Sequence, residues 1–398
     1  MKRYFLFAFF LAIAASTLLL TPSCGNKNEA GENEILINGR FIHSRANIVY
    51  IDIIHVESLE RIDSIELDED GSLQFRYDTD KPLFLKISTS EKNFITLIAE
   101  PGQTIELSGD INALAKTYAV SGSPASELVA AYLSFTDKQY AKLDTLALIW
   151  ENNKYAENKM ELRDSLDSLS GIIFRDQQNY ALTTIKKNPE SLGSLFILYQ
   201  SFGRAPVLDP VEYISVYQDL AKRVASKYPG SEHVGHLNMK VNKTNLSIKE
   251  DAEIKERLDT GKVAPDFALP DINDQMVKIS ELKGRVVLLH FWASWSPESI
   301  RQLASLRQYQ QTYGSKGLVI VSVSFDYDPE MWKTAVDKEK MKWINICDFK
   351  YTSSPIAKLY NIQQTPYLYL LNRDGIIVSK SNSIDIVGNE IFKLFRPS

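Results

Sequence analysis

Hydrophobic and polar positions follow different periods in successive parts of the chain. A continuous apolar run from Leu6 to Leu20 comes first. Residues 34–120 then carry short apolar or alternating runs, residues 123–250 repeat apolar positions every three or four residues, and residues 261–398 combine both patterns. Alternation of apolar and polar residues is typical of strands, and a repeat of three or four residues is typical of helices. The pattern therefore predicts a multidomain protein with an N-terminal all-β domain, a central α-helical region and a C-terminal α/β domain.

Residues 34–120 have the pattern of a small β domain. Turn signals such as Asp70-Gly71 and Pro101-Gly102 separate seven short runs that are apolar or alternate with polar residues. We expect strands at 35–37, 48–54, 62–67, 73–77, 83–87, 94–98 and 104–107. Seven short strands at this spacing predict an all-β sandwich or barrel.

Residues 123–250 have the pattern of helices with one apolar face. The stretch from Ala125 to Ser170 contains neither Gly nor Pro, and its apolar residues keep largely to steps of three and four. A capping residue followed by proline predicts a helix start at three places, Ser123-Pro124, Asn188-Pro189 and Asp209-Pro210. We interpret the region as a helical spacer or interaction module, joined to the last domain by a charged connection.

The last third of the chain, residues 261–398, has the pattern of an α/β domain. The runs Val286 to Trp292 and Leu318 to Phe325 are nearly all apolar, as expected of strands buried on both faces. Helices are expected from Pro297 to about Tyr313 and from about Glu390 to Phe395, with a hairpin turn at Asn372-Arg373-Asp374-Gly375 between them. A β-α-β unit followed by a hairpin and a helix is the layout of the thioredoxin fold, here with extra strands in front.

The N-terminus has the features of a targeting signal. Lys2 and Arg3 precede the apolar run, which is too short to span a bilayer comfortably. The run ends in Leu20-Thr21-Pro22-Ser23-Cys24, which resembles a bacterial lipobox. We therefore predict a signal peptide over residues 1–23, lipidation of Cys24 and a polar tether over residues 24–33. The alternative is an ordinary signal peptide that is cut elsewhere and leaves a free thiol. The lipid would hold the protein in the cell envelope, on the periplasmic face or in the outer membrane.

Composition narrows the possible chemistry. The chain has 398 residues and a net charge of −5, so nothing in its charge favours nucleic acid as a partner. It contains two cysteines, Cys24 and Cys347, which excludes a disulfide scaffold and a zinc site built from several cysteines. His233 and His236 lack evident metal-ligating companions, and no nucleotide-binding loop is present. We expect neither a metal nor a cofactor.

Four motifs in the last 135 or so residues resemble the thioredoxin-like AhpC/TSA and TlpA/ResA families. They are Gly261-Lys262-Val263-Ala264-Pro265-Asp266-Phe267, Leu282-Lys283-Gly284-Arg285-Val286-Val287, Phe291-Trp292-Ala293-Ser294-Trp295, and Tyr360-Asn361-Ile362 with Thr365-Pro366. The resemblance implies a thioredoxin fold, a cis-proline at Pro366 and thiol–disulfide or peroxide-reducing activity. The earlier β region, with its phrase Glu100-Pro101-Gly102-Gln103, is similar to a domain of unknown function that precedes thioredoxin-like domains in bacterial lipoproteins.

The expected active-site motif departs from these families. They place Trp-Cys-x-x-Cys at the start of the first helix, where this chain has Trp295-Ser296-Pro297-Glu298-Ser299. Disulfide exchange needs a thiolate that attacks sulfur and a second thiol that resolves the mixed disulfide. Peroxide reduction also begins with a thiolate. Serine at Ser296 and Ser299 therefore predicts that both reactions are absent. Gln302 stands where relatives commonly carry a glutamate, a proton carrier that a site without thiols would not need.

The serines have two interpretations. Ser296 before Pro297 is a favourable N-cap, and capping is its simplest role. Alternatively, the serines and free backbone N–H groups form a polar binding site for an extended peptide, with Trp295, Thr365 and Pro366 beside it. Cys347 is most simply a buried small apolar residue, and the alternative is a relocated reactive thiol.

Three functions follow from these alternatives. The first is a redox-inactive lipoprotein that binds an envelope protein or peptide, which we favour. The second is a thiol–disulfide oxidoreductase or peroxide-reducing antioxidant enzyme that contributes to cell redox homeostasis, and it would need Cys347. The third is an assembly lipoprotein whose working surfaces lie in the β and helical regions.

Overall fold

The computed structural model describes residues 29–44 and 47–396. The predicted signal peptide, Cys24 and residues 25–28 of the tether lie outside the described residues. Contacts divide the chain into two compact units, Met1–Thr244 and Asn245–Ser398. In the described ranges, no helix combines the length and the apolar character needed to cross a bilayer.

The first unit begins with a β-sandwich. Two four-stranded sheets have the orders β4-β1-β7-β8 and β3-β2-β5-β6. Their strands are β1 Glu34–Ile42, β2 Ile48–Ile54, β3 Leu59–Glu66, β4 Ser72–Asp78, β5 Leu83–Ser88, β6 Phe94–Ala99, β7 Thr104–Asp110 and β8 Ala119–Ser121, with the short helix α1 Leu114–Thr117 before β8. All seven predicted strands are present. Apolar residues of both sheets, such as Ile35, Ile51 and Leu97, share one buried core.

Helices complete the first unit. They are α2 Pro124–Asn153, α3 Lys159–Lys187, α4 Leu192–Leu198, α5 Ile214–Lys227 and the first half of α6 Glu232–Arg257, whose residues from Asn245 onward belong to the second unit. The two-residue strands β9 Ser201–Phe202 and β10 Ala205–Pro206 lie between α4 and α5. Ser123 caps α2 as predicted, since its side chain accepts a hydrogen bond from Ser126 N–H. The predicted start at Asn188-Pro189 is wrong: Asn188 ends α3, and Ser191 caps α4 instead.

The sandwich and the helices of this unit share polar and apolar contacts. The hydroxyls of Ser123 and Ser126 both donate to the Ile98 carbonyl, at 2.6 and 3.1 Å, and the Ser126 hydroxyl also accepts from Ile98 N–H. Phe84 and Ile98 of the sandwich belong to the core formed by the helices. The hydrogen bonds satisfy the backbone of β6 where α2 begins, so the two sequence regions form one packed body.

The second unit has the thioredoxin fold. Its five-stranded sheet has the order β15-β14-β13-β16-β17. The elements are the front hairpin β11 Ala268–Pro270 and β12 Met276–Lys278, then β13 Val286–Trp292, α7 Pro297–Tyr313, β14 Leu318–Ser324, α8 Pro329–Lys338, β15 Ile344–Cys347, α9 Pro355–Leu359, β16 Tyr367–Leu371, β17 Ile377–Ser381 and α10 Ile384–Phe395. The central strand β13 is parallel to β14 and antiparallel to β16. Every residue of β13 is buried, in agreement with its apolar sequence.

The last helix is longer than predicted. It begins at Ile384 rather than near Glu390, and it buries Ile384, Val387 and Ile391 along one face. Gly388 lies inside it, where glycine ordinarily disfavours a helix. A Cβ atom at Gly388 would overlap the Tyr309 hydroxyl of α7, so a larger residue there would displace the Tyr309 side chain.

Candidate functional site

The site lies at the carboxyl end of β13, where the chain turns into α7. Ser296 has an extended backbone and caps the helix, since its Oγ accepts a hydrogen bond from Ser299 N–H at 3.3 Å. Pro297 follows at the first helical position, where its missing N–H costs no hydrogen bond. The carboxyl edge of the sheet is the usual place for ligand sites in α/β folds, and this helix start provides free backbone N–H groups there.

The structure brings Ser296 together with the loop that precedes β16. The Ser296 hydroxyl donates to the Thr365 carbonyl at 3.4 Å, and the peptide bond between Thr365 and Pro366 is cis. Antiparallel pairing of β16 with β13 positions this loop, because Tyr367 lies opposite Phe291 near the end of β13. The predicted group of Ser296, Thr365 and Pro366 is therefore contiguous.

The two serines have different surroundings. Ser296 is 6% exposed and its hydroxyl has two hydrogen-bond partners. Ser299 is completely buried, and its Oγ has no partner among the described residues. A buried hydroxyl without a partner has lost its hydrogen bonds to water and gained nothing in exchange. Capping therefore accounts for Ser296 and does not account for Ser299.

Trp295 projects from the site into solvent. It is 48% exposed, and its ring meets that of Tyr351 edge to face at 5.8 Å. A cavity of about 220 Å³ lies between Trp295, Tyr351 and the proline loop, including Gln364 and Thr365. A larger groove of about 670 Å³ is bordered by Thr365 and Pro366 of this loop and by Gln302. Pro366 and Thr365 thus line open space that an extended ligand can enter.

Gln302 lies in the first half of α7, on the side of the groove. It is 5% exposed, and its Nε2 donates to the Asn382 carbonyl at 2.8 Å. Its Oε1 has no partner among the described residues. The amide therefore ties α7 to the start of α10, and it offers no titratable group to the site.

A buried carboxylate at the site was missed by the sequence analysis. Asp326 is 2% exposed and accepts hydrogen bonds from Ser294 N–H, from the Ser294 hydroxyl at 2.7 Å and from the Ser324 hydroxyl at 2.5 Å. It lies just after β14, the neighbour of β13, so both chain segments leave the sheet at the same edge. That position after a buried strand is the signal that could have identified it.

Cys347 lies in the interior at the end of β15. It is completely buried, its thiol is 3.4 Å from the Ser324 carbonyl, and Phe349 N–H donates to the sulfur at 3.3 Å. Burial away from water raises the pKa of this thiol to about 11. Because the thiolate is the reactive form, the environment of Cys347 is that of an inert structural cysteine.

The histidine of the central strand is also enclosed. His290 is completely buried, its Nδ1 lies 3.1 Å from the Ser322 hydroxyl, and burial lowers its pKa to about 3. It is therefore neutral at ordinary pH. Within the described part of the chain, no three histidine, cysteine or acidic side chains gather in a way that could hold a metal ion.

Comparison with known proteins gives matches that each cover about a third of the chain. Residues 260–380 match the model of the AhpC/TSA family. The thiol-disulfide oxidoreductase ResA of Bacillus cereus is 26% identical over 126 residues, which cover 32% of this chain and 71% of ResA. ResA of Bacillus subtilis is 28% identical over 125 residues, covering 31% of this chain and 68% of ResA. A solved thiol-disulfide oxidoreductase from Bacteroides fragilis is 31% identical, with 34% of this chain and 100% of that chain covered and a TM-score of 0.32.

The family match covers the elements that build the site, from the loop before β11 into β17. The thioredoxin fold and the order of the motifs agree with this match. Residues 260–380 therefore form a thioredoxin-like domain of the AhpC/TSA family, with ResA-type thiol-disulfide oxidoreductases among its homologues.

Proposed function

We propose that this chain is a lipid-anchored protein of the cell envelope whose thioredoxin-like domain binds an extended peptide or protein segment and does not catalyse thiol–disulfide exchange. The observation that carries the proposal is the pair Ser296 and Ser299 in a site whose other parts are retained. The helix start, the proline loop and the exposed tryptophan are all in place.

The missing step is chemical. In disulfide exchange a thiolate attacks one sulfur of a disulfide, a new S–S bond forms, and the other sulfur leaves as a thiolate. A second thiolate then releases the reduced partner and forms the enzyme's own disulfide. A serine hydroxyl is a far weaker acid than a thiol, and its oxygen forms no disulfide. With both positions occupied by Ser296 and Ser299, neither step can take place there.

Cys347 is a poor replacement for the missing thiols. It is completely buried, and its raised pKa leaves very little thiolate near pH 7. Cys24 is the other cysteine of the sequence, and we expect it to carry lipid. These two facts argue against a dithiol pair elsewhere in the chain.

Binding does not depend on sulfur. A peptide laid beside the loop at Thr365 and Pro366 could form backbone hydrogen bonds as an added strand does, while side chains enter the adjoining cavities. Trp295 supplies a half-exposed ring at the border of one cavity, and such rings are common at protein interfaces. These features support a peptide or protein as the partner.

The test is dithiothreitol-driven reduction of insulin by the purified chain. We expect the rate to equal the dithiothreitol background, and we expect Cys347→Ser to change nothing. Turnover that exceeds the background and is lost in Cys347→Ser would overturn the proposal. A heat-denatured sample and a complete thioredoxin serve as the negative and positive controls.

The names of the ResA relatives favour a second candidate, a thiol–disulfide oxidoreductase. An antioxidant peroxidase of the AhpC/TSA type belongs to the same alternative, since it too begins with a thiolate. Either activity would have to use Cys347. The insulin experiment with Cys347→Ser decides the oxidoreductase, and consumption of hydrogen peroxide in the presence of dithiothreitol, measured for the same two proteins, decides the peroxidase.

A further inference from the structure

We propose that the bound segment carries an arginine or lysine whose cationic group enters a cleft beside Trp295. This inference rests on the proposed peptide-binding function and specifies the ligand. The cleft, called here the aromatic cleft, has a volume of about 240 Å³ and is lined by Trp295, Asp326, Tyr327, Asp328, Met331 and Tyr351.

Three rings surround the cleft. Tyr351 lies between the other two: its ring meets Trp295 at 5.8 Å with planes inclined by 73°, and Tyr327 at 6.5 Å with planes inclined by 76°. Rings at steep angles around one space present both faces and edges to a guest. The face of an aromatic ring carries negative charge density and attracts a cation within about 6 Å.

The rings are not needed to fill the core. Trp295 is 48% exposed, Tyr327 is 63% exposed and Tyr351 is 41% exposed. Tyr351 also has a backbone φ of 50°, a left-handed conformation that residues other than glycine seldom adopt. Unusual backbone conformations of this kind occur preferentially at binding sites. The aromatic cleft is thus an exposed apolar surface held in a defined shape.

Charge selects a cation over a neutral guest. Asp326, Asp328 and Glu330 lie within six residues of one another, with no basic residue between them. The Asp326 carboxylate is buried, and its described hydrogen bonds come from serine and backbone groups. Asp328 accepts from Glu330 N–H and Met331 N–H at the start of α8. Within the described ranges no salt bridge involves Asp326, Asp328 or Glu330. Carboxylates in this situation, beside ring faces, create a negative potential that attracts a cation.

The other segment at the cleft adds little opposing charge. Lys350 directly precedes Tyr351, and Asp348 stands two residues before Lys350. The net charge of these bordering segments therefore stays negative. A guanidinium or ammonium group would find acidic groups and ring faces together, whereas an acidic side chain would be repelled.

The cleft adjoins the proposed path of the peptide. Trp295 and Tyr351 line both the aromatic cleft and the cavity that reaches Thr365. A peptide beside Thr365 can therefore direct a neighbouring long side chain past Trp295 into the cleft. The flexible, partly apolar stems of arginine and lysine fit this route, because the stem covers ring surface while the head meets the carboxylates.

The test measures peptide binding to the purified full chain labelled with 5-fluorotryptophan. The fluorine signal of Trp295 is assigned with Trp295→Phe, and its shift is followed during titration. The probes are blocked pentapeptides with arginine, citrulline or norleucine at the centre of four alanines. Citrulline keeps the shape of arginine without its charge. We expect the arginine peptide to shift the Trp295 signal and to bind about fivefold or more tightly than the citrulline peptide.

Single substitutions test which side chains cause the preference for the arginine peptide. Tyr327→Leu should abolish the preference for arginine, and Tyr327→Phe should keep it, since only the ring is required. Asp328→Ser should weaken the preference while retaining a capping oxygen for α8. Tyr155→Leu, at a tyrosine that is 88% exposed in the other unit, should have no effect.

The outcomes separate this inference from the proposed function. Equal binding of the arginine and citrulline peptides would overturn the cationic specificity and leave peptide binding standing. Failure of every peptide to bind would overturn both peptide binding and this inference. Turnover in the insulin assay would overturn redox inactivity, whatever the peptides do.

Discussion

The environment of a single thiol separates the two candidate functions. Cys347 is completely buried, as is common for a free cysteine. Its thiol contacts the Ser324 carbonyl and Phe349 N–H. Loss of hydration raises its pKa to about 11, with smaller contributions from Asp326 and Asp348 of the same sign. The interior position, rather than a specific charged partner, therefore makes this group inert.

Alkylation with iodoacetamide tests that environment. At pH 7 we expect Cys347 to stay unmodified in the folded chain over hours and to react readily in urea. In the folded chain the rate should rise as the pH increases toward 11, because the reactive thiolate forms only there. Mass spectrometry of a peptide containing Cys347 measures the modification. Rapid labelling of the folded chain at pH 7 would show an accessible, ionised thiol and contradict this account.

The site residues differ in how far sequence alone predicts them. Ser296 and its helix are neighbours in the chain, so the cap could be predicted from Ser296-Pro297. Asp326 and Tyr351 follow other strands, and they reach the site because β14 and β15 end at the same edge of the sheet as β13. Such contacts depend on strand order, which local patterns do not contain.

At the scale of elements, α7 shows how the two serines differ. Ser296 caps the start of α7, since its hydroxyl oxygen accepts a hydrogen bond from Ser299 N–H. The same hydroxyl donates to the Thr365 carbonyl of the proline loop. Ser299 is the third residue of the helix, and its buried hydroxyl has no described partner. The two side chains have the same chemistry and opposite expected effects on stability.

Alanine substitutions compare them directly. Ser296→Ala should lower the free energy of unfolding by about 1 kcal/mol, because the cap is lost. Ser299→Ala should leave that free energy unchanged or raise it slightly, because an unsatisfied buried hydroxyl is removed. Urea denaturation is followed by tryptophan fluorescence. The signal reports mainly on the second unit, since that unit contains Trp292, Trp295, Trp332 and Trp343. A larger loss for Ser299→Ala than for Ser296→Ala would refute the assignment of roles.

Element boundaries were predictable where a local signal marks them. β13 and α7 agree with the apolar run and the Ser296-Pro297 start, respectively. The start of α10 was missed because Gly388 interrupts the helical pattern. Glycine at this position leaves room for the Tyr309 side chain of another helix, and such a contact depends on tertiary structure. The predicted helix start at Asn188-Pro189 was wrong because this typical start signal lies at the end of α3, where Asn188 is the C-cap.

At the scale of the whole molecule, sequence patterns predicted the fold class correctly. The β-sandwich, the helices and the thioredoxin fold follow one another as expected. The packing of these regions on each other is harder to predict from sequence. The sandwich and the helices join in one unit through hydrogen bonds of Ile98 with Ser123 and Ser126. The periodicity of apolar residues does not indicate such contacts. Lipidation of Cys24 and the tether remain predictions from the N-terminal sequence.

The central proposal is that this thioredoxin-like domain lacks redox activity because serine stands at Ser296 and Ser299, where the resemblance to thiol–disulfide oxidoreductases implies cysteine. The double substitution Ser296→Cys and Ser299→Cys introduces the implied Trp-Cys-x-x-Cys motif at the same helix start. Dithiothreitol-driven insulin reduction is therefore measured for this variant beside the unchanged chain. The account predicts background rates for the unchanged chain and a several-fold gain for the folded double variant. Equal turnover by both proteins, or a folded double variant as inactive as the unchanged chain, would contradict it.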